Sequence, residues 1–189
     1  MGIGIVVSDV VRSARAESLS FSRQIHGIGI ASVTIPKLTN AGVDQGERHA
    51  GESIMIYDSW GVAVYGGIID DVQETRLGGP GSSNSYYLCT CSSWEKKLAK
   101  RRCGKKVYST ENAGARLLDL LQLANADGED IFIDLLHLQI EDGATGTELG
   151  TRSYFGRSIA EVADELAEAS GFNWYLTPGR IPVLKTKAS

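Results

Sequence analysis

Three cysteines are the first residues to test for chemistry. Cys89 and Cys91 lie two apart in "NSYYLCTC", and Cys103 follows at some distance. On a strand, Cys89 and Cys91 would point to one face. Zinc needs four ligands, and no matching C-x-x-C or H-x-x-x-H completes the set, with His26, His49 and His137 scattered. Buried structural thiols are the expectation, and no metal. Asp70-Asp71 and Glu141-Asp142 are paired carboxylates, but neighbours on a strand point to opposite faces and do not converge on one substrate atom. "GIG" at 27–29 has Ser32 where a dinucleotide loop needs its third glycine, and no helix follows. "DGEDIFIDLLHLQIE" lacks the sixth-position glycine of an EF-hand loop. Nothing assembles a nucleophile, a base and an oxyanion donor, so neither an enzyme nor a cofactor is expected.

One cluster is basic. Residues 96–106 hold seven Lys or Arg in eleven positions: Lys96, Lys97, Lys100, Arg101, Arg102, Lys105 and Lys106. Such a segment could touch phosphates or an acidic partner. It is read first as a solvated helix end, where cations also suit the helix C-terminus. Trp94 beside it could stack on a base, but is expected to anchor the short helix on the preceding barrel.

The elements that would carry these residues fall into two regimes. From about Ser18 to Cys91 the apolar period is mainly two. Leu19 alternates with Phe21. Ile28 and Ile30 shift phase to Val33 and Ile35, which predicts a bulge at Ala31-Ser32. Ile54 and Ile56 alternate with Met55 and Tyr57; Val62 alternates with Val64; Tyr87, Cys89 and Cys91 share a face. Short strands broken by Gly, Asn, Asp and Pro indicate a small antiparallel barrel. Gly66 and Gly67, inside an unbroken β pattern, are then corner glycines. "RLGGPGSSNS" at 76–85 reads as a mobile hairpin loop.

Helices enter after Ser92. "SSWEKKLAKR" predicts a short helix capped by Ser92 or Ser93. "NAGARLLDLLQLA" places Ala113, Leu117, Leu118, Leu121 and Ala124 at helical spacing, with Asn112 as cap. "SIAEVADELAEASG" starts with Ser158 and has Glu161 three later, a capping box; Ile159, Val162, Ala163, Leu166 and Ala169 form its face, and Gly171 its exit. "FNWYL-TPG-RIPVL" is a strand, a turn and a strand, with Trp174 packed under the helix and Pro182 marking an edge. "EDGATGTEL" reads as a turn between short strands. The expected class is α+β and β-rich: an N-terminal arm over 1–17, an antiparallel β-barrel over 18–106 and a mixed α+β subdomain over 107–189.

The 189 residues carry a net charge of −4, with 42% hydrophobic and 22% charged residues, ordinary for a soluble globular chain. An odd cysteine count favours a reducing compartment. The start is too short in apolar residues for a membrane span and lacks the basic front of a signal peptide, so no membrane anchor is expected.

The order of the pieces resembles the first barrel of the phage tail hub proteins, which include baseplate hubs, late control protein D and the spike of type VI secretion. "VYGGII" at 64–69 stands where that family has its "F-G-I-V" strand corner. "YLCTC" at 87–91 stands where it has "Y-V-T-C-D" before a short helix. "VYSTENAGARLLDLLQLA" is similar to its "Y-x-N-x-T-A-x-D-I-V-x-D-L-L", and "RSYFGRSIAEVADELAEASGFNWYLTPGRIPVL" to its strand, helix, "G-f-x-W" strand and closing strand. The chain departs in an acidic strand after Ile69, in the basic cluster and in having no second full barrel. It is expected to be the N-terminal part of a longer hub or a trimmed version. The resemblance implies a non-enzymatic structural component of the virion tail tip, made in the host cytoplasm. It implies a homo-oligomeric ring, a trimer, that joins the tail tube or distal tail protein, the tape measure protein, and the tip, spike or fibre, with DNA passing through its lumen. On this reading Gly66, Gly67, Trp94, Trp174 and the cations Lys96, Lys97, Lys100, Arg101 and Arg102 serve structure and interaction. The alternative is a nucleic-acid-binding barrel module using segment 96–106. A tail-associated cell-wall hydrolase would need convergent carboxylates, which the sequence does not offer.

Overall fold

The structure, a computed structural model, describes residues 3–7, 10–14, 19–23, 27–36, 39–40, 43–44, 49–76, 85–126, 133–140 and 147–187. The loop at 77–84, the 141–146 part of "EDGATGTEL" and the start of "DGEDIFIDLLHLQIE" lie outside the described residues. The chain divides into two compact units, one of Met1–Arg23 with Gly29–Ser93, the other of Gln24–Ile28 with Trp94–Ser189. The divide therefore falls between Ser93 and Trp94, earlier than residue 106.

The first unit contains β1 (Ile3–Val7), β2 (Val10–Ala14), β3 (Leu19–Ser22), β4 (Ile30–Pro36), β5 (Thr39–Asn40), β6 (Val43–Asp44), β7 (Ser53–Tyr57), β8 (Ala63–Arg76) and β9 (Ser85–Ser93). Seven of them form one antiparallel sheet in the order β2-β1-β7-β8-β9-β4-β3, while β5 and β6 pair apart. The sheet curls until β2 comes within 8 Å of β4, Cα to Cα, which gives the small barrel its wall. The expected N-terminal arm is thus part of the wall: β1 pairs with both β2 and β7. β8 and β9, of 14 and 9 residues, are the long inner strands of the sheet, and the concave face of the curled sheet carries the core. That face holds Ile5, Val7, Ala31, Val33, Ile35, Ile54, Ile56, Tyr65, Ile69, Tyr87, Cys89 and Cys91.

Two local expectations are corrected here. β4 pairs with β3 and β9 in unbroken register, so Ala31-Ser32 is no bulge. Ile30 simply faces outward, 52% exposed, and the core face of β4 is Ala31, Val33 and Ile35. The irregularities sit instead between Ile56 and Tyr57 and between Ile69 and Asp71. The second explains why Ile69 and Val72, three residues apart, both turn to the core: one extra residue resets the alternation. The inward residue of "GVAVY" is Tyr65, 1% exposed, whereas Val62 lies in the turn before β8 and is 59% exposed.

The second unit contains α1 (Glu95–Lys100), β10 (Val107–Tyr108), β11 (Glu111–Asn112), α2 (Ala113–Ala126), β12 (Gln139–Ile140), β13 (Glu148–Leu149), β14 (Arg152–Ser153), α3 (Ile159–Ser170), β15 (Phe172–Leu176) and β16 (Pro182–Thr186). α3 follows its sequence closely. Ser158 accepts the Glu161 amide, the Glu161 carboxylate accepts the Ser158 amide, and Gly171 exits at φ 69°. Ile159, Val162, Ala163 and Leu166 are buried; Ala167 takes the place expected for Ala169, which is exposed. α3 lies against β15, α1 and α2. In α2, Asn112 caps by accepting the Ala115 amide at 2.8 Å, and Leu120 rather than Leu118 completes the buried face.

Ser92 and Ser93 do not cap α1. Both are sheet residues, and the N-cap is Trp94, with no side-chain cap bond. Pro182 does not mark an edge either, because β16 is the middle strand between β15 and a parallel β12. β12 has only two residues and pairs with Val183 and Leu184, so the N–H that proline lacks is not needed there.

Candidate functional site

Gly66 and Gly67 lie inside β8, opposite Met55 and Ile54 of β7. Gly67 also faces Ser93 of β9, and a Cβ built on it would stand 2.1 Å from the Ser92 carbonyl oxygen. Only glycine lets the two backbones approach this closely. Ser93 Oγ accepts the Gly29 amide at 2.8 Å, while the Ser92 hydroxyl donates to Asp70. Asp71 instead accepts from the Gln73 amide at 3.1 Å. The two aspartates thus serve different partners and do not converge on one substrate position.

Cys89, Cys91 and Cys103 are buried free thiols. Burial, helped by Cys89 and Asp70, pushes the Cys91 thiol up to about 12, so it stays protonated near neutrality. Among the described residues no cluster of three or more His, Cys, Asp or Glu is placed to hold a metal ion. Nor is any helix among them long and apolar enough to cross a membrane.

The basic segment is tied down rather than looped out. The Ile159 amide donates to the Arg101 carbonyl at 3.0 Å, Arg102 bridges Ser158, and the Cys103 amide donates to the Arg157 carbonyl at 2.8 Å. This strand-like seam fixes residues 101–103 beside the α3 N-terminus. Lys106 pairs with Asp119 at 2.5 Å and stands 4.9 Å from the Tyr108 ring. Lys105 lies over the Phe155 ring at 5.6 Å. Lys100 and Arg102 are exposed, whereas Lys96, Lys97 and Arg101 are half-buried.

Trp94 and Trp174 are buried anchors within the second unit. The Trp94 indole donates to the Pro178 carbonyl at 2.7 Å, and Arg180, at φ 66°, covers its ring at 5.1 Å. The tryptophan expected to pin α1 to the barrel therefore holds it to the β15–β16 turn. Trp174 donates to Asp164 of α3 at 2.8 Å.

Arg116, which holds several partners at once, gave no sequence signal beyond being a cation on an apolar helix face. It is 1% exposed. Its guanidinium donates to the Tyr154 hydroxyl at 2.9 Å and to the carbonyls of Ser109, Leu149 and Gly150 at 2.9, 3.3 and 3.1 Å. Glu111 balances its charge from 3.6 Å. A cleft of about 240 Å³ opens beside it, lined also by Arg152, Tyr154, Glu165 and Leu166. Glu165 is held there by both Arg152 and Arg157. A buried charge with this many partners organises short strands, and the cleft shows no nucleophile with a base.

No protein-family model matches the sequence, and no curated protein matches it. Solved structures do. A tail protein from Neisseria meningitidis MC58 superposes with a TM-score of 0.68 at 12% identity, covering 97% of this chain and 50% of its own. The 43 kDa tail protein of prophage MuSo2 from Shewanella oneidensis gives 0.67 at 11% identity, covering 100% and 56%. The E. coli c3393 protein is a type VI secretion component described as structurally similar to the T4 tail proteins gp27 and gp5. It gives 0.50 at 9% identity, covering 97% and 44%. The chain spans about half the length of these structures. At such identities the likeness is one of architecture: this protein has the α+β fold of phage tail proteins, from its first strand to its last.

Proposed function

We propose that the protein is a hub or tail-tip subunit of a phage or phage-like tail, working by assembly rather than catalysis. The observation that carries this is the superposition of nearly the whole chain on phage tail proteins. The type VI component, itself likened to gp27 and gp5, supports the hub assignment. On this reading copies of the chain form a ring, a homotrimer, in the virion tail tip. The ring joins the tail tube or distal tail protein, and the tape measure protein, to the tip, spike or fibre, and DNA leaves through its lumen. The barrel forms the ring wall, and segment 96–106 offers its cations to an acidic neighbour or to the passing DNA.

The mass of the purified protein in solution tests the core of the reading: a trimer is expected, and a monomer at every concentration overturns the ring. Reversing Lys96, Lys97, Arg101 and Arg102 to Glu, with tails viewed by electron microscopy, tests the basic segment. Normal, infective tails would remove that segment from the mechanism. Peptidoglycan cleavage by the purified chain would overturn the non-enzymatic reading. Retention on DNA that falls steeply between low and moderate salt would favour a nucleic-acid-binding module instead.

A further inference from the structure

Two small apolar surfaces stand exposed on rigid supports, and they are unlike each other. The first is the turn between β7 and β8. Trp60 is 83% exposed and Val62 59%. Asp58 fixes this turn: its Oδ1 accepts the amides of Trp60 at 2.8 Å and Val62 at 2.9 Å. Backbone bonds from Asp58 to Val62 and from Gly61 to Asp58 close it, with Gly61 at φ 78°. A tryptophan on a pre-ordered tip loses little freedom when it docks, and tryptophan is the side chain most often central to binding energy.

The second surface is the outer face of the β10–β14 ribbon and its extension. Val107 is 67% exposed and Phe155 61%. Val107 pairs with Ser153, and Phe155 follows in a turn that the Arg157 amide closes on the Tyr154 carbonyl at 3.0 Å, tied to the other segment by the Gly156 amide on the Cys103 carbonyl at 3.1 Å. The inner face carries Tyr108 and Tyr154, 5.7 Å apart, above Arg116. The outer face is left with Val107 and Phe155, and with Lys105 lying 5.6 Å over the Phe155 ring.

We infer that the Trp60–Val62 tip of one copy docks on the Val107–Phe155 ribbon of the next, a head-to-tail contact between copies of this chain. The inference rests on the ring reading above and names the surfaces that would make the ring. The occupant is a second copy because one chain carries both halves of a match. The tip has an apolar pair beside the Asp58 carboxylate, and the ribbon an apolar pair beside the Lys105 ammonium. Docked, opposite charges meet at the edge of the contact, and Lys105 gains a second aromatic face. Each copy carries a net charge of −4, so association needs such local compensation. Two unlike surfaces per subunit give a heterologous contact, which builds a ring when its rotation closes and an open filament when it does not.

The test uses Trp60→Glu and Phe155→Glu in the full chain, followed by sedimentation velocity. Both residues are largely exposed, so thermal melting should match the wild type and exclude misfolding. Each variant alone should self-associate about thirtyfold or more weakly than the wild type. Mixed in equal amounts, the two should form a heterodimer that grows no further, because only one intact tip and one intact ribbon meet. A variant that assembles like the wild type, or a mixture that stays monomeric, overturns the contact while leaving the ring standing. A wild type that is monomeric throughout overturns both.

Discussion

Gly67 sits so close to β9 that a Cβ would stand 2.1 Å from the Ser92 carbonyl oxygen, leaving room for a hydrogen and nothing more. Gly67→Ala should therefore push against the Ser92 backbone, which cannot swing aside as a long side chain would. A loss of about 1–3 kcal/mol is expected in denaturant unfolding. Gly104→Ala is the control, since a Cβ there meets nothing within 4 Å, and its midpoint should stay near the wild type. Cys91 gives a second residue-level prediction. Its thiol is raised to about 12, so the folded chain keeps a proton that the unfolded chain releases above about pH 9. The stability this confers is full below pH 9 and lost as pH rises toward 12. Chevron midpoints measured between pH 8 and 11 should fall, and more steeply than in Cys91→Ala. At pH 8 a thiol reagent should react with Cys91 only when the chain is unfolded.

α3 is held at its start by the capping box and by the seam to residues 101–103, and along its length by buried Val162 and Leu166. Leu166→Ala should cost about 2–5 kcal/mol; a cost below about 1 kcal/mol would mean that the face is not packed. Ser158→Ala should cost about 1 kcal/mol, the ordinary worth of such a cap. The short strands β11, β13 and β14 depend on Arg116 instead. Each has two residues, too few to persist without support, and one guanidinium gathers three of the surrounding carbonyls and the Tyr154 hydroxyl. Arg116→Met removes the charge and strands these acceptors, so a loss of about 3–5 kcal/mol is expected by thermal or denaturant unfolding. Arg116→Lys should recover only part of it, because one ammonium cannot reproduce the planar fork.

Over the whole molecule, the division at Ser93/Trp94 separates a curled sheet from a helix-bearing unit, and the chain passes directly from β9 into α1. Exchange of backbone amides should distinguish the two. The central strands β8 and β9, paired on both sides, should be the slowest to exchange in the first unit, and the two-residue strands around Arg116 faster than α3 in the second. Uniform protection across the chain would instead mean that the units open as one.

Much of this was legible in the sequence because local chemistry decides it. The α3 capping box, its glycine exit, the Asn112 cap and the alternation of Ile54, Ile56, Tyr87, Cys89 and Cys91 depend on neighbours within a few residues, and they stand in the structure as written. The order of strands and helices carried the likeness to tail proteins for the same reason. What the sequence could not decide depends on partners distant along the chain. A bulge shows no composition of its own: the phase change in "GIGIASVTIP" points to Ala31-Ser32, whereas the register shifts lie at Ile56/Tyr57 and at Ile69–Asp71. Pro182 is compatible with an edge or with a central strand whose neighbour is two residues long, and only the pairing with Gln139–Ile140 settles which. Val62 fits an alternating strand as well as a turn, until Asp58 takes its amide. Arg116 looked like one more cation until folding placed Tyr154, Leu149 and Gly150 around it. Periodicity reports which face of an element is apolar; what covers that face, and which charge is buried beneath it, is fixed only when the chain closes on itself.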